Sequence, residues 1–389
     1  MPIKPSLRSA VEPFLAMDVL QRAGQLERAG RSILHMEVGQ PGAPVPQPVR
    51  DAAAAALRDG RIGYTEALGI RPLRERISRY YQDRFGVSVS PDRIAITTGS
   101  SGGFNLAFLA ALNPGDRVVM PTPAYPAYRN VLNALGLVPV EVPVTEDTRW
   151  ALTPDQLLAL HDEEPVHAVL IASPANPSGT VMQSADFQFL IDACSENNIL
   201  FISDEIYHGL VFEGAEETAL GHSDDALIIN SFSKYYCMTG WRIGWMVLPE
   251  VLVRPVERIA QSLYISAPEL SQRAAIAAFD ATDELEQIKD GYRRNRARLL
   301  DAFPKIGIPD FLPVDGAFYL YANVGHLTDD SARLSAALLE DIGLAVTPGA
   351  DFDQERGARY LRFSFAGTEA AVEEAIERLG GWLSAKRNA

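Results

Sequence analysis

The sequence predicts an α/β architecture with a mainly parallel sheet, followed by a second, smaller α+β unit. Two observations carry this. Through the middle of the chain, short β-rich runs alternate with helix-like stretches, the order that builds a parallel sheet with crossover helices. Past about Pro268 the alternation stops; a long helical segment follows, then strand signals set among glycines and prolines.

The elements follow in order. A helix pattern over Ala16–Ala29 leads into a Gly/Pro-rich turn, VGQPGAPVP. The β-rich runs are Arg93–Thr98 (RIAITT), Arg117–Met120 (RVVM), Ala168–Ala172 (AVLIA), Ile199–Ser203 (ILFIS) and Ala226–Asn230 (ALIIN). Helix-like stretches at Gly103–Leu112, Ala124–Leu135 and Ser184–Asn197 separate them. One long helical segment is expected over Pro268–Phe303, then strands at Ala317–Tyr321 and Arg359–Phe365, each leading towards a helix. The expected division is an N-terminal segment (1–45) packing with a small C-terminal domain (268–389), around a large α/β domain (46–267).

Composition narrows the function classes. At 389 residues the chain has ample core for more than one compact unit. Its apolar fraction of 47% and charged fraction of 22% are those of a globular protein. A formal charge of −15 argues against a general nucleic-acid or anionic-membrane surface, while leaving room for a local arginine pocket. Two cysteines, Cys194 and Cys237, make no disulfide framework, and the six histidines lack metal-ligand spacing, so no metal is expected. No stretch of about 20 apolar residues is present, and the start, MPIKPSLRSAVEPF, has no signal-peptide apolar core. A cytoplasmic location is expected.

The most telling stretch is NSFSKYYCMTGWRIGW. Lysine is scarce, and Lys234 is the only one between Lys4 and Lys289. It sits just past the apolar run ALIIN, where burial and the charge of Arg242 would disfavour its ammonium form and make it a nucleophile. Arg242 could also clamp a phosphate. Ligands of open α/β sheets bind beyond the carboxyl ends of the strands, and polar residues collect there. RIAITT runs into Gly99-Ser100-Ser101-Gly102-Gly103 before a helix, whose free amides suit a phosphate. AVLIAS runs into Pro174-Ala175-Asn176-Pro177-Ser178-Gly179, and ILFIS into Asp204-Glu205-Ile206-Tyr207. Each alone has an ordinary explanation: a surface lysine, a helix cap at Asp204, a core tyrosine, a turn at Asn176-Pro177. Turn chemistry does not select Lys, Asp, Tyr and Asn together on one rim. His208 and Cys237 are read as packing.

NPSG, DEIY and SFSKYYCMTGWRIGW, in this order and spacing, resemble the class I/II aminotransferases of the fold-type-I pyridoxal-phosphate enzymes, over nearly the whole chain. The resemblance implies a seven-stranded sheet between helices in the large domain and a cofactor, pyridoxal 5'-phosphate, bound to Lys234 as a Schiff base. Lys234 then moves the proton between the substrate Cα and the cofactor. Asp204 pairs with the pyridinium nitrogen, and Tyr207 and Asn176 with the ring oxygen. Ser100, Ser101, Ser231 and Arg242 hold the phosphate, and Tyr125 stacks on the ring. Tyr64 reaches the phosphate of a neighbouring subunit, which implies a homodimer with sites at its interface. Arg362, in RYLRFSF, grips the substrate α-carboxylate as a fork, and Gly39 touches the same carboxylate through its backbone.

The activity so implied moves an amino group between an L-amino acid and a 2-oxo acid, 2-oxoglutarate being the expected acceptor, in a ping-pong reaction. A carbon–sulfur β-lyase on the same scaffold is the alternative. A non-catalytic effector-binding module is a third reading, opposed by the acidity. Two positions depart from the family pattern. Ser101 stands where aspartate-specific relatives carry a lysine, which puts aspartate specificity in doubt. The turn GQPGAP replaces a GEPDF-like form, keeping Gly39 but changing what lines the entrance.

Overall fold

The computed structural model describes residues 3–387. The strands are β1 (Leu34–His35), β2 (Ile94–Thr97), β3 (Arg117–Thr122), β4 (Val138–Pro143), β5 (Ala168–Ala172), β6 (Leu200–Asp204), β7 (Leu227–Ser231), β8 (Gly244–Val247), β9 (Tyr319–Asn323), β10 (Leu344–Ala345), β11 (Thr347–Pro348) and β12 (Tyr360–Ser364). The helices are α1 (Leu15–Arg28), α2 (Gln47–Asp59), α3 (Arg71–Phe85), α4 (Gly99–Ala111), α5 (Pro126–Leu135), α6 (Pro154–Glu163), α7 (Ser184–Glu196), α8 (Glu250–Leu263), α9 (Glu269–Ala278), α10 (Thr282–Ile306), α11 (Ser331–Ile342) and α12 (Glu369–Arg387).

Seven strands form the main sheet in the order β2-β8-β7-β6-β5-β3-β4. All run parallel except β8, which pairs antiparallel with both β2 and β7. The near-continuous apolar runs of the sequence follow from this: both faces of the sheet are covered, so alternate residues enter two different cores. Val169 and Ile171 of β5 join Phe187 and Leu190 of α7 on one face. Ala168 and Leu170 join Phe104 and Phe108 of α4 on the other. α4 is apolar on most sides because it is sandwiched between the sheet and α5 and α8.

The smaller sheet, β11-β12-β9, is antiparallel, and β12 pairs with β9 from Tyr360↔Asn323 to Ser364↔Tyr319. β1 pairs parallel with β10, which ties the N-terminal segment to the C-terminal third. The expected single helix over Pro268–Phe303 is two. α9 ends at Ala278, and α10 starts at Thr282 after a turn at Phe279–Ala281. Ala274, Ala275 and Ala278 of α9 pack in the core that holds Leu73 and Ile77 of α3. The GSSGG run also differs from expectation. It is the first turn of α4, which begins at Gly99.

Candidate active site

The parallel strands deliver their C-terminal residues to one edge. β6 ends on Asp204, with Tyr207 in the turn beyond; β7 leads to Lys234, β5 to Asn176 and β3 to Tyr125. The antiparallel β8 begins where its neighbours end, and this brings Arg242, two residues before it, to the same edge. A cavity of about 200 Å³ opens there, lined by Lys234, Asp204, Tyr207, Asn176, Tyr125, Arg242 and Arg362, and by Gly39, Ser100 and Ser101.

Lys234 donates from Nζ to the Gly39 carbonyl at 2.5 Å. Burial pulls its pKa down to about 8, helped by the charges of Arg362 and Arg242 and opposed by Asp204. Asp204 is buried, which raises its carboxyl to about 6. The Tyr128 hydroxyl, the Ile206 amide at 3.1 Å and the charge of Lys234 pull the other way and keep it ionised near neutrality. Tyr207 shares a hydrogen bond with Tyr319, hydroxyl to hydroxyl, at 2.7 Å. Arg362 is packed between the rings of Tyr319 and Phe352, with its guanidinium carbon 4.4 and 4.7 Å from their centroids. It donates to Asn176 Oδ1 at 3.0 Å, to Thr347 Oγ1 at 3.1 Å and to the Glu37 carbonyl. Its Nε is buried without a partner among the described residues.

The anion end of the cavity is the first turn of α4. Gly99 has φ +74°, and a Cβ there would overlap the Arg242 guanidinium. Glycine therefore lets the guanidinium lie against the helix N-terminus, where the leading amides have no intrahelical acceptor. A Cβ at Gly39 would likewise overlap the Tyr319 hydroxyl.

Two expected site residues stand apart. Ser231 does not line the cavity; its buried hydroxyl donates to the Ile243 carbonyl at 3.1 Å and lies 3.0 Å from Ser233 Oγ. Ser233, two residues on, does line it. Tyr64 is 81% exposed and outside the cavity of this single chain. His208 is buried beside Phe85, its pKa lowered to about 4 by burial, and is no part of the lining. Sequence reasoning missed Tyr128, Tyr319, Ser233, Phe14 and Met17. Tyr128 had a signal, since it follows Tyr125 by three residues on the face of α5 that looks into the site.

A family model described as "Aminotransferase class I and II" matches residues 31–379. A relative named valine–pyruvate aminotransferase, from Mycobacterium tuberculosis, is 47% identical over 97% of this chain and 98% of its own length. A relative from Methanocaldococcus jannaschii, named (5-formylfuran-3-yl)methyl phosphate transaminase, is 36% identical over 96% and 97%. The crystal structure of an aminotransferase from Mycobacterium tuberculosis superposes with a TM-score of 0.96, at 46% identity, covering 99% of this chain and all of the other.

The chain belongs to the class I and II aminotransferases.

Enzymes of this family use pyridoxal 5'-phosphate, and the aminotransferase cavity has a donor set that fits it. An anion cradle lies at α4, a buried carboxylate suits a ring nitrogen, and hydroxyl and amide groups suit a ring oxygen. Of the two enzyme readings of the sequence, the named relatives favour transamination over β-elimination. Among the described residues, no helix of the aminotransferase is long and apolar enough to cross a membrane.

Proposed function

We propose that this aminotransferase moves an amino group from an L-amino acid with an uncharged side chain to a monocarboxylic 2-oxo acid, in ping-pong order, with Lys234 as nucleophile and proton carrier. The observation that carries the reading is the composition of the cavity around Lys234. Lys234, Arg242 and Arg362 are the cations on its wall, and the rest includes Phe14, Ala16, Met17, Val38, Phe104 and Ile206.

Arg242, Ser100, Ser101, Ser233 and the first amides of α4 hold a phosphate. Tyr125 covers the face of an aromatic ring, and Asp204, ionised near pH 7, holds a proton on a ring nitrogen. Tyr207 donates to a ring oxygen, and Asn176 Nδ2 is free to do the same while Oδ1 takes the Arg362 donor. Pyridoxal phosphate, once bound, supplies a carbonyl for amine exchange and a sink for the electron pair left at Cα. Arg362 and the Gly39 backbone orient the α-carboxylate. Lys234 Nζ, whose lowered pKa leaves a usable fraction of neutral amine, takes the proton from Cα and returns it on the other side of the transfer.

With Arg242 at the phosphate, Arg362 at the α-carboxylate and Lys234 in the chemistry, no cation of this wall is left for a second substrate carboxylate. That favours pyruvate-like acceptors over the 2-oxoglutarate expected from the sequence, and the relative named for valine and pyruvate accords with it. A matrix of donors (alanine, valine, leucine, phenylalanine, aspartate) against pyruvate and 2-oxoglutarate tests this. Neutral donors with pyruvate should give the higher kcat/KM; a hundredfold preference for aspartate with 2-oxoglutarate overturns the substrate reading.

We also propose a homodimer in which a second copy covers Tyr64. Tyr64 lies with exposed Ile62 on a segment held by Gly63 N to Glu269 and Thr65 N to Ser266 at 3.2 Å, near exposed Leu263 and Ile265. Sedimentation should give twice the chain mass, and a monomer active at all dilutions overturns it.

A further inference from the structure

The first turn of α1 supplies Phe14, Ala16 and Met17 to the cavity wall, yet the helix has no cap of its own. Phe14 occupies the N-cap position and its side chain has nothing to accept the leading amides. The cap comes instead from Asp351, 336 residues further along the chain. Its two carboxylate oxygens divide the work: Oδ1 accepts from Leu15 N at 3.0 Å and Oδ2 from Ala16 N at 3.1 Å. Asp351 is buried, the bond to Ala16 is buried with it and the bond to Leu15 partly so, and its charge meets the positive end of the helix. Asp351 ends the short turn after β11, and this turn is also the backing of Arg362. Thr347 of β11 is in register with Arg362 and accepts its hydrogen bond at 3.1 Å, while Phe352, next to Asp351, lies against the guanidinium. On the other side, Phe14 packs edge-to-face with Tyr125, ring centroids 5.7 Å apart.

We propose that Asp351 is a positioning residue for side-chain recognition: it fixes the apolar wall of α1 at a set distance from Arg362. One turn thereby references both ends of the substrate, the α-carboxylate through Arg362 and the side chain through Phe14 and Met17. This rests on the reading of the substrate as an amino acid with an apolar side chain.

The test uses the full-length holoenzyme. In Asp351→Ala, amide hydrogen exchange at the first turn of α1 should accelerate, while the last turns of α1 stay protected. kcat/KM for leucine should fall about tenfold, mainly through KM. For alanine, whose methyl is too short to press on the wall, the change should stay below about threefold. Joining Asp351→Ala to Phe14→Ala/Met17→Ala should add little to the leucine loss, because all three changes remove the same wall. Unchanged exchange in α1, or equal losses for leucine and alanine, overturns the proposal. If Asp351→Ala does not fold, Asp351→Asn decides. It keeps one acceptor, so it should show the same pattern at smaller size, and wild-type exchange and selectivity in it overturn the proposal. A wild type that prefers dicarboxylic donors sinks the substrate reading alone, since the exchange measurement reports the cap whatever the donor.

Discussion

Replacing Arg362 by lysine isolates the geometry of the carboxylate site from its charge. Arg362 is 2% exposed, its guanidinium lies between two aromatic rings, and it is held by Asn176, Thr347 and the Glu37 carbonyl. Lysine keeps the positive charge but is a point donor on a flexible stem, and cannot present a two-point fork. A charged hydrogen bond contributes roughly 1.5–3 kcal/mol net. Losing one of two to the α-carboxylate, with the other retained, predicts a cost of about 2 kcal/mol. That is roughly a 30-fold fall in kcat/KM. Because every amino and oxo acid presents the same carboxylate, the loss should be uniform. The assay is steady-state kinetics of Arg362→Lys with alanine, valine, phenylalanine and aspartate, with a thermal melt to confirm folding. A loss confined to one donor, or a change below threefold in all of them, would refute the assignment of Arg362 to the carboxylate.

Lys234→Ala should still bind the cofactor through the phosphate cradle but lose borohydride-trappable attachment and transamination; wild-type turnover in it removes Lys234 from the mechanism. Asp204→Asn should fold normally and lose about 10²–10³ in kcat, the size of a lost electrostatic partner, and an unchanged rate reduces Asp204 to a turn residue. Gly39→Ala forces a methyl into the Tyr319 hydroxyl and should cost about 1–3 kcal/mol by overpacking, read as a lower melting temperature; an unaltered melt shows that Tyr319 can yield. The pH dependence follows from Lys234 in the cofactor-free protein. Its pKa falls from 10.5 to about 8 on folding, so between those values the native state binds fewer protons than the unfolded one. Its contribution is full above pH 10.5 and is lost as pH falls through about 8. Cofactor-free Lys234→Met should therefore melt higher than wild type at pH 7, by an amount on the order of 1–3 kcal/mol, with the gap closing towards pH 10.5. A gap that widens with rising pH contradicts the depressed lysine.

How far local sequence reaches can be seen element by element. AVLIA, RVVM and ALIIN announced buried strands because both faces of a covered parallel sheet demand apolar residues, a constraint written into each strand separately. Lys234, Asp204, Asn176 and Tyr207 were legible for the same reason, as polar residues immediately after such runs. β8 was hidden: its first two residues, Gly244 and Trp245, close the motif after Lys234, and only pairing with β2 and β7 makes the run a strand and carries Arg242 to the rim. The break between α9 and α10 was invisible to periodicity, because both helices are amphipathic and the turn between them has no proline or glycine. Contacts between residues remote in sequence needed the folded chain. Tyr128 donates to Asp204 across 76 positions, Tyr319 meets Tyr207 across 112, and Asp351 caps α1 from the far end of the molecule. Periodicity and turn chemistry report how a segment folds on its neighbours. Which side chain faces which across a cavity depends on strand order and register, and those are settled by the packing of the whole chain.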